Sequence, residues 1–280
     1  MLLRENAPLR EYCSMRVGGP AKLAAFPETA EELASLLRAG GRRVVLGGGS
    51  NVLFPDEGYD GTVIFTTKLC RLSADGCVLS AQAGVTLSAL ARKALGCGLG
   101  GLAFAYGIPG TVGGGVYMNA GAYGGEMKQV VTSVTVFRMD GTEQTLSAEA
   151  SAFSYRTSVY QTLPCVIVRA SLQLQPGDPD TIAQTMRALM EKRKASQPLE
   201  LPSAGSTFKR PVGYFAGPLI EQAGLKGQGI GGAAVSEKHA GFVVNRGGAT
   251  TDDIRRTMEL VQTRVLETSG VQLEPEVRIW

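Results

Sequence analysis

The sequence predicts a mixed α/β protein in three consecutive segments, about 1–70, 71–175 and 176–280. Three observations carry that reading. Runs with leucines at helical spacing start at capping residues. Short β-branched runs with strand-like alternation lie between them. A Pro176-Gly177-Asp178-Pro179 break separates the last segment from the rest.

In the first segment Thr29-Ala30-Glu31-Glu32 forms a capping box ahead of Leu33, Leu36 and Leu37, which places a helix over 29–39. Arg43–Leu46 and Thr62–Phe65 read as short strands. The second segment carries strands at 77–82, 131–138 and 165–174, the last with Val166, Val168, Ala170, Leu172 and Leu174 in alternation. Asp140-Gly141 marks a hairpin turn. Thr86 caps a helix bearing Leu87, Leu90, Ala91 and Leu95. The stretch 96–125 is dense in glycine and reads as loop, which at that length is usually functional.

The third segment opens with a helix whose Ile182, Met186, Leu189 and Met190 share a face. Its end, Glu191-Lys192-Arg193-Lys194, reads as a solvated, dipole-matched terminus. A loop at 198–213 follows, then a helix near 217–223 and strands near 230–235 and 242–245. A helix over 251–267, started by Thr251-Asp252-Asp253 and stopped at Gly270, precedes a strand at 271–279.

Composition narrows the function. Hydrophobic residues are 44% and charged residues 19%, so the chain buries a core. Lys+Arg 28 against Asp+Glu 25 gives +3, too weak to argue for a nucleic-acid partner. The one histidine, His239, excludes His-rich metal sites and most catalytic triads, and no metal is expected. Cys13, Cys70, Cys77, Cys97 and Cys165 are scattered without CxxC spacing, as expected for small buried hydrophobes in a reducing compartment. The N-terminus has no apolar signal core and no run approaches membrane-spanning length. These features predict a cytoplasmic protein with no membrane association and no obligate protein partner. Gly 37 is the unusual count, well above the roughly 7% average.

Those glycines gather at 47–49, 107–125 and 224–232. Gly47, Gly48, Gly49, Ser50 and Asn51 follow a strand and suit an anion nest, although a tight turn is the plain alternative. The pattern is neither GxGxxG nor a P-loop. The run from Gly107 to Gly124 is more specific, and a purely structural account of it needs eight close turns.

Six ordered pieces resemble the UDP-N-acetylenolpyruvoylglucosamine reductases over essentially the whole chain. They are Ser14–Pro20, Leu46–Asn51, 107–124, Tyr155–Ser158, Ala204–Pro211 and Leu273–Arg278. The resemblance implies two subdomains clasping FAD in the vanillyl-alcohol-oxidase/PCMH manner, 1–70 and 71–175, and a C-terminal α/β substrate domain, 176–280. It implies non-covalent FAD held by Gly47, Gly48, Gly49, Ser50, Asn51, Pro109, Gly110, Gly113, Gly114, Asn119, Ala120 and Gly121. It further implies hydride transfer from NADPH through FAD to C3 of the enolpyruvyl ether on UDP-N-acetylglucosamine, giving UDP-N-acetylmuramate for peptidoglycan precursors.

Charge would develop at C2 and spread into the carboxylate, and such an enediolate needs cationic or hydrogen-bonding groups in a water-poor site. By resemblance Arg156 and Glu276 flank that carboxylate, and Ser206 gives C2 its proton. Arg156 has the planar fork a carboxylate suits. Glu276 helps only if protonated or if it orients Arg156; Glu274 shares its face on a strand. Lys209, Arg210 and His239 are substrate-binding candidates, with Lys209 a source of positive potential for Ser206. The bland alternatives are a loop serine, a surface ion pair, a solvated strand-end carboxylate and a structural histidine. Some relatives carry a tyrosine-bearing loop that closes over the substrate. No such insertion lies between Arg169 and Ser206, as in a shorter branch. Alternatives to the whole reading are another FAD-dependent oxidoreductase of the same fold, or a non-catalytic nucleotide-binding regulator.

Overall fold

The structure, a computed structural model, describes residues 1–280. Two sheets dominate. A five-stranded antiparallel sheet runs in the order Glu143–Ser147, Val131–Arg138, Cys165–Gln173, Val78–Gln82, Leu72–Asp75. A four-stranded sheet has the order Leu2–Pro8, Pro20–Phe26, Tyr59–Phe65, Arg43–Leu46, its last pair parallel with Val44 opposite Val63. By contact the chain divides into two compact units, each assembled from separated stretches. The first comprises Met1–Arg4, Leu23–Gly48 and Gly61–Arg193; the second comprises Glu5–Lys22, Gly49–Asp60 and Lys194–Trp280.

In the first unit α1 (Ala30–Arg38) starts at Thr29, whose hydroxyl accepts the Glu32 N–H at 3.2 Å. The expected capping box is only half made. The Glu32 carboxylate accepts instead from the Glu28 N–H and the Met1 ammonium, both at 2.8 Å. Leu33, Leu37 and Ile64 of this region form one core with Phe137, Val166 and Val168. The strand Cys165–Gln173 departs from simple alternation. An extra residue near Val168 shifts its register against Val131–Arg138, so Ile167, Ala170 and Leu172 join a second core while Val166 and Val168 stay with the first.

α2 (Leu87–Gly96) is capped by Thr86, as expected, and lays Leu87, Leu90 and Ala91 into that second core. The stretch 96–125 is not structureless. It contains a short helix, α3 (Val112–Tyr117), and a two-residue hairpin joining Gly121–Ala122 to Gly125–Glu126. Consecutive glycines mask α3 because their helix propensity is poor. Packing accounts for them: a Cβ on Gly113 would lie 2.9 Å from the Ala83 side chain, and one on Gly115 would lie 3.1 Å from Leu87.

The basic end of α4 (Pro179–Ser196) is exposed at Glu191, Lys192 and Lys194, as expected, but not at Arg193. The helix's buried residues are Met186 and Arg193, and Arg193 is only 8% exposed. The Arg193 guanidinium lies 5.8 Å from the Tyr123 ring centre, with the Lys192 ammonium 5.4 Å from the same ring. Its aliphatic stem runs past Gly107, where any Cβ would stand 3.0 Å away. Burial pushes the Arg193 pKa down, opposed by Tyr123.

The second unit pairs Ala233–Val235 antiparallel with Val243–Asn245 and packs α5 (Ala216–Gln222) and α6 (Thr251–Ser269) into one core through Leu219, Ile220, Ile254, Met258, Val261 and Val265. The cap of α6 is Thr250 rather than Thr251, in a reciprocal box with Asp253. Thr251 is buried, its hydroxyl donating to the Phe54 carbonyl at 2.6 Å and its N–H to Asp56 at 2.8 Å. Gly270 stops the helix in the left-handed conformation, as predicted. The tail is mostly irregular: only Arg278–Ile279 forms a strand, parallel to Val52–Leu53. Pro275 has no N–H for a ladder, which limits its pairing with Phe208 to an isolated bridge.

All five cysteines are free. Cys13 is buried, and burial lifts its thiol to about 12. Cys70 and Cys97 are exposed rather than buried as the sequence suggested. No helix is long and apolar enough to cross a membrane.

Candidate functional site

The first glycine motif is shared by two neighbourhoods. Gly47 and Gly48, in the first unit, leave the strand Arg43–Leu46 directly beside Gly110 and Thr111. A Cβ on Gly47 would lie 2.1 Å from the Thr111 hydroxyl, and one on Gly48 would lie 3.8 Å from the Gly110 Cα. Gly114 borders the same place, its Cβ position 3.9 Å from that hydroxyl. Thr111 is 3% exposed, and its hydroxyl oxygen is buried without a hydrogen-bond partner. A buried hydroxyl without a partner costs roughly 1–3 kcal/mol unless something supplies one. Exposed backbone at Gly48 and Gly114 thus lies close to Thr111 and its unmet hydroxyl, and a donor set of this kind suits a pyrophosphate such as that of FAD. Thr111 lay outside the residues singled out from sequence. The signal that finds it is its place between Gly110 and α3.

Other members of the cofactor set are engaged inside the protein. The Gly113 N–H donates to the Ala83 carbonyl at 2.9 Å. Ala120 donates to Gly115 at 2.7 Å and accepts from Met127 at 3.0 Å. Asn119 is fully buried in a left-handed conformation. Its amide donates to Glu126 at 2.7 Å and to the Ser154 carbonyl at 2.9 Å, and its oxygen accepts from the Lys128 N–H at 2.9 Å. The side chain of Asn119 and the amides of Gly113 and Ala120 thus have partners within the protein that hold the shape of the glycine segment. Gly121 is similarly tight, with the Gly125 carbonyl 2.7 Å from any Cβ. Pro109 precedes Gly110, whose φ of +129° only glycine adopts readily.

Arg156 sits at the tip of a hairpin closed by Ser154 and Thr157, in a left-handed conformation with φ +52°. Such a backbone costs about 1–3 kcal/mol and persists only where surroundings hold it. Gln161 is the holder: its amide donates to the carbonyls of Arg156 and Tyr117, both at 3.0 Å. The guanidinium donates to the Gly121 carbonyl at 3.1 Å, so this cation is moored to the glycine segment. Nothing in the sequence marked Gln161, because its role rests on backbone acceptors far away in sequence.

In the second unit Gly49 is pressed against the Tyr12 carbonyl, 2.0 Å from its Cβ position, and its own carbonyl accepts from Ser14. The Asn51 amide donates to the Glu276 carbonyl at 3.2 Å, and the Arg278 N–H donates back to the Asn51 carbonyl at 3.1 Å. Asn51 thereby fixes the segment carrying Glu276 through its side-chain amide and its carbonyl. Ser50, between them, is half-buried.

The segment 206–209 is held on both sides. Thr207 donates to the Gly241 carbonyl at 2.9 Å and accepts from Glu276 at 2.8 Å; Lys209 donates to the Glu274 carbonyl at 2.8 Å. Two sequence candidates are thus brought together. Ser206, exposed, precedes the residue that pairs with Glu276, which is half-buried. Glu274 is set apart from Glu276 by its ion pair with the Lys209 ammonium at 3.2 Å. That pair also neutralises Lys209, weakening it as a source of positive potential for Ser206. Arg210 stacks its guanidinium 3.9 Å from the Phe215 ring centre. His239 accepts the Gly241 N–H at Nδ1, 3.1 Å away, which leaves the proton on Nε2. Burial pushes its pKa down, so the ring is a neutral donor. No group of three His, Cys, Asp or Glu side chains gathers to hold a metal.

Comparison with known proteins covers both units. A family described as FAD binding domain matches residues 21–147, and one described as UDP-N-acetylenolpyruvoylglucosamine reductase, C-terminal domain, matches 197–280. The UDP-N-acetylenolpyruvoylglucosamine reductase of Lactococcus lactis subsp. cremoris (strain MG1363) is 46% identical, covering 100% of this chain and 95% of its own. That of Streptococcus pneumoniae (strain CGSP14) is 47% identical, covering 99% and 93%. The crystal structure of the Thermus caldophilus reductase superposes with a TM-score of 0.86 at 36% identity, covering 100% of both chains.

Proposed function

Because this chain belongs to the UDP-N-acetylenolpyruvoylglucosamine reductase family, we infer that Arg156, Ser206 and Glu276 are its catalytic residues. The protein is an FAD-dependent, NADPH-using oxidoreductase that reduces UDP-N-acetylglucosamine enolpyruvate to UDP-N-acetylmuramate for peptidoglycan synthesis. Bound FAD supplies the hydride relay between NADPH and C3 of the enolpyruvyl group. Segments 1–70 and 71–175 are the flavin-binding subdomains in this reading, and 176–280 binds substrate. The enzyme works in the cytoplasm as a non-covalent flavoprotein with no obligate protein partner.

Arg156 offers its fork to the substrate carboxylate, where negative charge grows as hydride arrives. Its hydrogen bond to Gly121 and the brace from Gln161 support a fixed placement, which keeps reorganisation small during reaction. Ser206 delivers the proton to C2. Glu276 acts one step along the paired segment, as a neutral acid or as the group that orients a cation. Gly47, Gly48, Gly110, Gly114 and Thr111 receive the pyrophosphate of FAD.

The observation that supports the assignment is the backbone pairing of Thr207 with Glu276, which sets the segment of an exposed Ser206 alongside that of a half-buried Glu276. The test separates the two half-reactions under anaerobic conditions. Ser206→Ala should keep flavin reduction by NADPH and slow reoxidation by the enolpyruvyl substrate about 10²–10⁴-fold. Equal loss in both halves would remove Ser206 from proton delivery.

A further inference from the structure

The segment Ser14–Pro20 in the second unit has no part in the reaction as described, although its sequence is one of the six resembling pieces. Its first residues lie against the chain that leads to Ser206. Ser14 is half-buried and bonded in two directions. Its N–H donates to the Gly49 carbonyl at 3.0 Å, and its hydroxyl donates to the Ser203 carbonyl at 2.6 Å. Arg16 closes the turn in a left-handed conformation, φ +57°, with its N–H donating to the Cys13 carbonyl at 3.1 Å. Met15 is buried and shares a core with Ala204 and Phe208. Asn245 adds a further tie: its side-chain amide donates to the Met15 carbonyl at 3.1 Å, and its N–H donates to the Pro202 carbonyl at 2.9 Å.

The chain on the two sides of Ser206 is held unequally. After it, Thr207 is fixed through its N–H to Gly241, through its carbonyl to Glu276, and through its hydroxyl, which accepts the Val243 N–H at 2.9 Å. Before it, Gly205 stands in the left-handed region at φ +78°, with no neighbour within 4 Å of a Cβ position. An unpacked glycine is a soft joint, because nothing but its own backbone limits it. Ser206 itself is exposed. The direction of its hydroxyl therefore depends on how firmly Ser203 and Ala204 deliver the chain to that joint.

We propose that Ser14 is a positioning residue for proton delivery: by holding the Ser203 carbonyl it sets the Ser206 hydroxyl in register with C2 of the substrate. The proposal rests on the reading in which Ser206 protonates C2. What distinguishes the Ser14 hydroxyl is that the fold has other anchors. Without it, the Ser14 N–H still reaches Gly49, Asn245 still ties Met15 and Pro202, and Met15 still packs with Ala204. The one bond lost is the one aimed at the approach to Ser206. A proton donor must come within about 2.6–3.2 Å of its acceptor, and a misplacement of about 1 Å can cost roughly 10²-fold in rate. A bond with little weight in stability thus carries weight in the protonation step. The same serine links that step to Gly49, so the donor is registered against the first glycine motif.

The experiment follows both half-reactions of the FAD-loaded enzyme by anaerobic stopped flow in Ser14→Ala, Ser14→Thr, Ser206→Ala and the Ser14→Ala/Ser206→Ala double variant. Ser14→Ala should keep its flavin, its melting temperature and its reduction by NADPH. Reoxidation at saturating enolpyruvyl substrate should slow about tenfold, short of what a full 1 Å misplacement costs, with KM little changed. Ser14→Thr, which keeps the hydroxyl, should restore the rate. On the Ser206→Ala background the Ser14 substitution should add nothing, because the two act as one unit. Unaltered reoxidation in Ser14→Ala overturns the proposal, as does a further loss in the double variant. Loss of flavin, of fold or of both half-reactions alike in Ser14→Ala overturns it too, since the bond would then serve the fold. Normal reoxidation of Ser206→Ala would instead defeat the reading of Ser206 as the proton donor.

Discussion

Gly48→Ala isolates the contribution of ligand from that of protein packing. The φ of Gly48 is not in the left-handed region, and an added Cβ would find its nearest neighbour at 3.8 Å, an ordinary contact. The apo-protein should therefore change in stability by no more than about 0.5 kcal/mol, as exposed substitutions do. A pyrophosphate lying against this backbone needs N–H to oxygen distances near 2.9 Å. The methyl group occupies the space that such an approach requires. Losing one charge-assisted hydrogen bond costs about 1.5–3 kcal/mol, or roughly 10- to 150-fold in FAD affinity. Apo-protein would be titrated with FAD by flavin fluorescence while its unfolding is followed separately. Unchanged FAD affinity, or an apo-protein destabilised as much as the affinity falls, would refute the cradle of Gly47, Gly48 and Thr111.

Two further outcomes follow from buried polar groups. Asn119→Ala removes three internal hydrogen bonds and leaves alanine in a conformation that Asn tolerates better; urea unfolding should show a loss of roughly 2–4 kcal/mol, and an unmoved midpoint would contradict its role as a clamp. For His239 the folded pKa lies below its unfolded value of about 6.5 because burial disfavours the cation, so the fold binds fewer protons and loses stability as pH falls through 6.5 toward the depressed value. His239→Gln should abolish that slope between pH 7 and pH 5 in thermal melts, and parallel curves for the two proteins would show that the ring is not held neutral.

The elements legible in the sequence were those with local causes. Thr86 and Thr29 cap their helices through the next turn, Gly270 ends α6, and Asp140 closes its hairpin by accepting from the Thr142 N–H at 2.9 Å. What failed depended on distant partners. Thr251 looks like a cap, yet Phe54 and Asp56 draw it inward and Thr250 takes the cap. Arg193 looks solvated in a basic run, yet Tyr123 and the gap left by Gly107 take its side chain. The bulge near Val168 reverses which core each valine serves, and no single-strand pattern encodes a register shift imposed by a neighbour.

The site was legible as a set of motifs and less so as a set of roles, and the glycines show why. Within 107–125, Gly107 makes room for Arg193, Gly113 for Ala83, Gly115 for Leu87, Gly121 for the Gly125 carbonyl and Gly125 for Phe104. Gly110 and Gly124 are required by positive φ. Packing and conformation thus account for most of the glycines in a run whose eight close turns, read as sequence, pointed to a ligand. Gly114 differs: it has no left-handed φ and no neighbour nearer than 3.9 Å. Gly48 in the other motif is alike. Both border the Thr111 hydroxyl or its neighbour Gly110, and that hydroxyl is buried without a partner. In these two motifs, Gly48 and Gly114 are thus glycines that neither conformation nor close packing requires, and both lie beside the unmet hydroxyl of Thr111 or its neighbour, which is where a bound pyrophosphate is proposed.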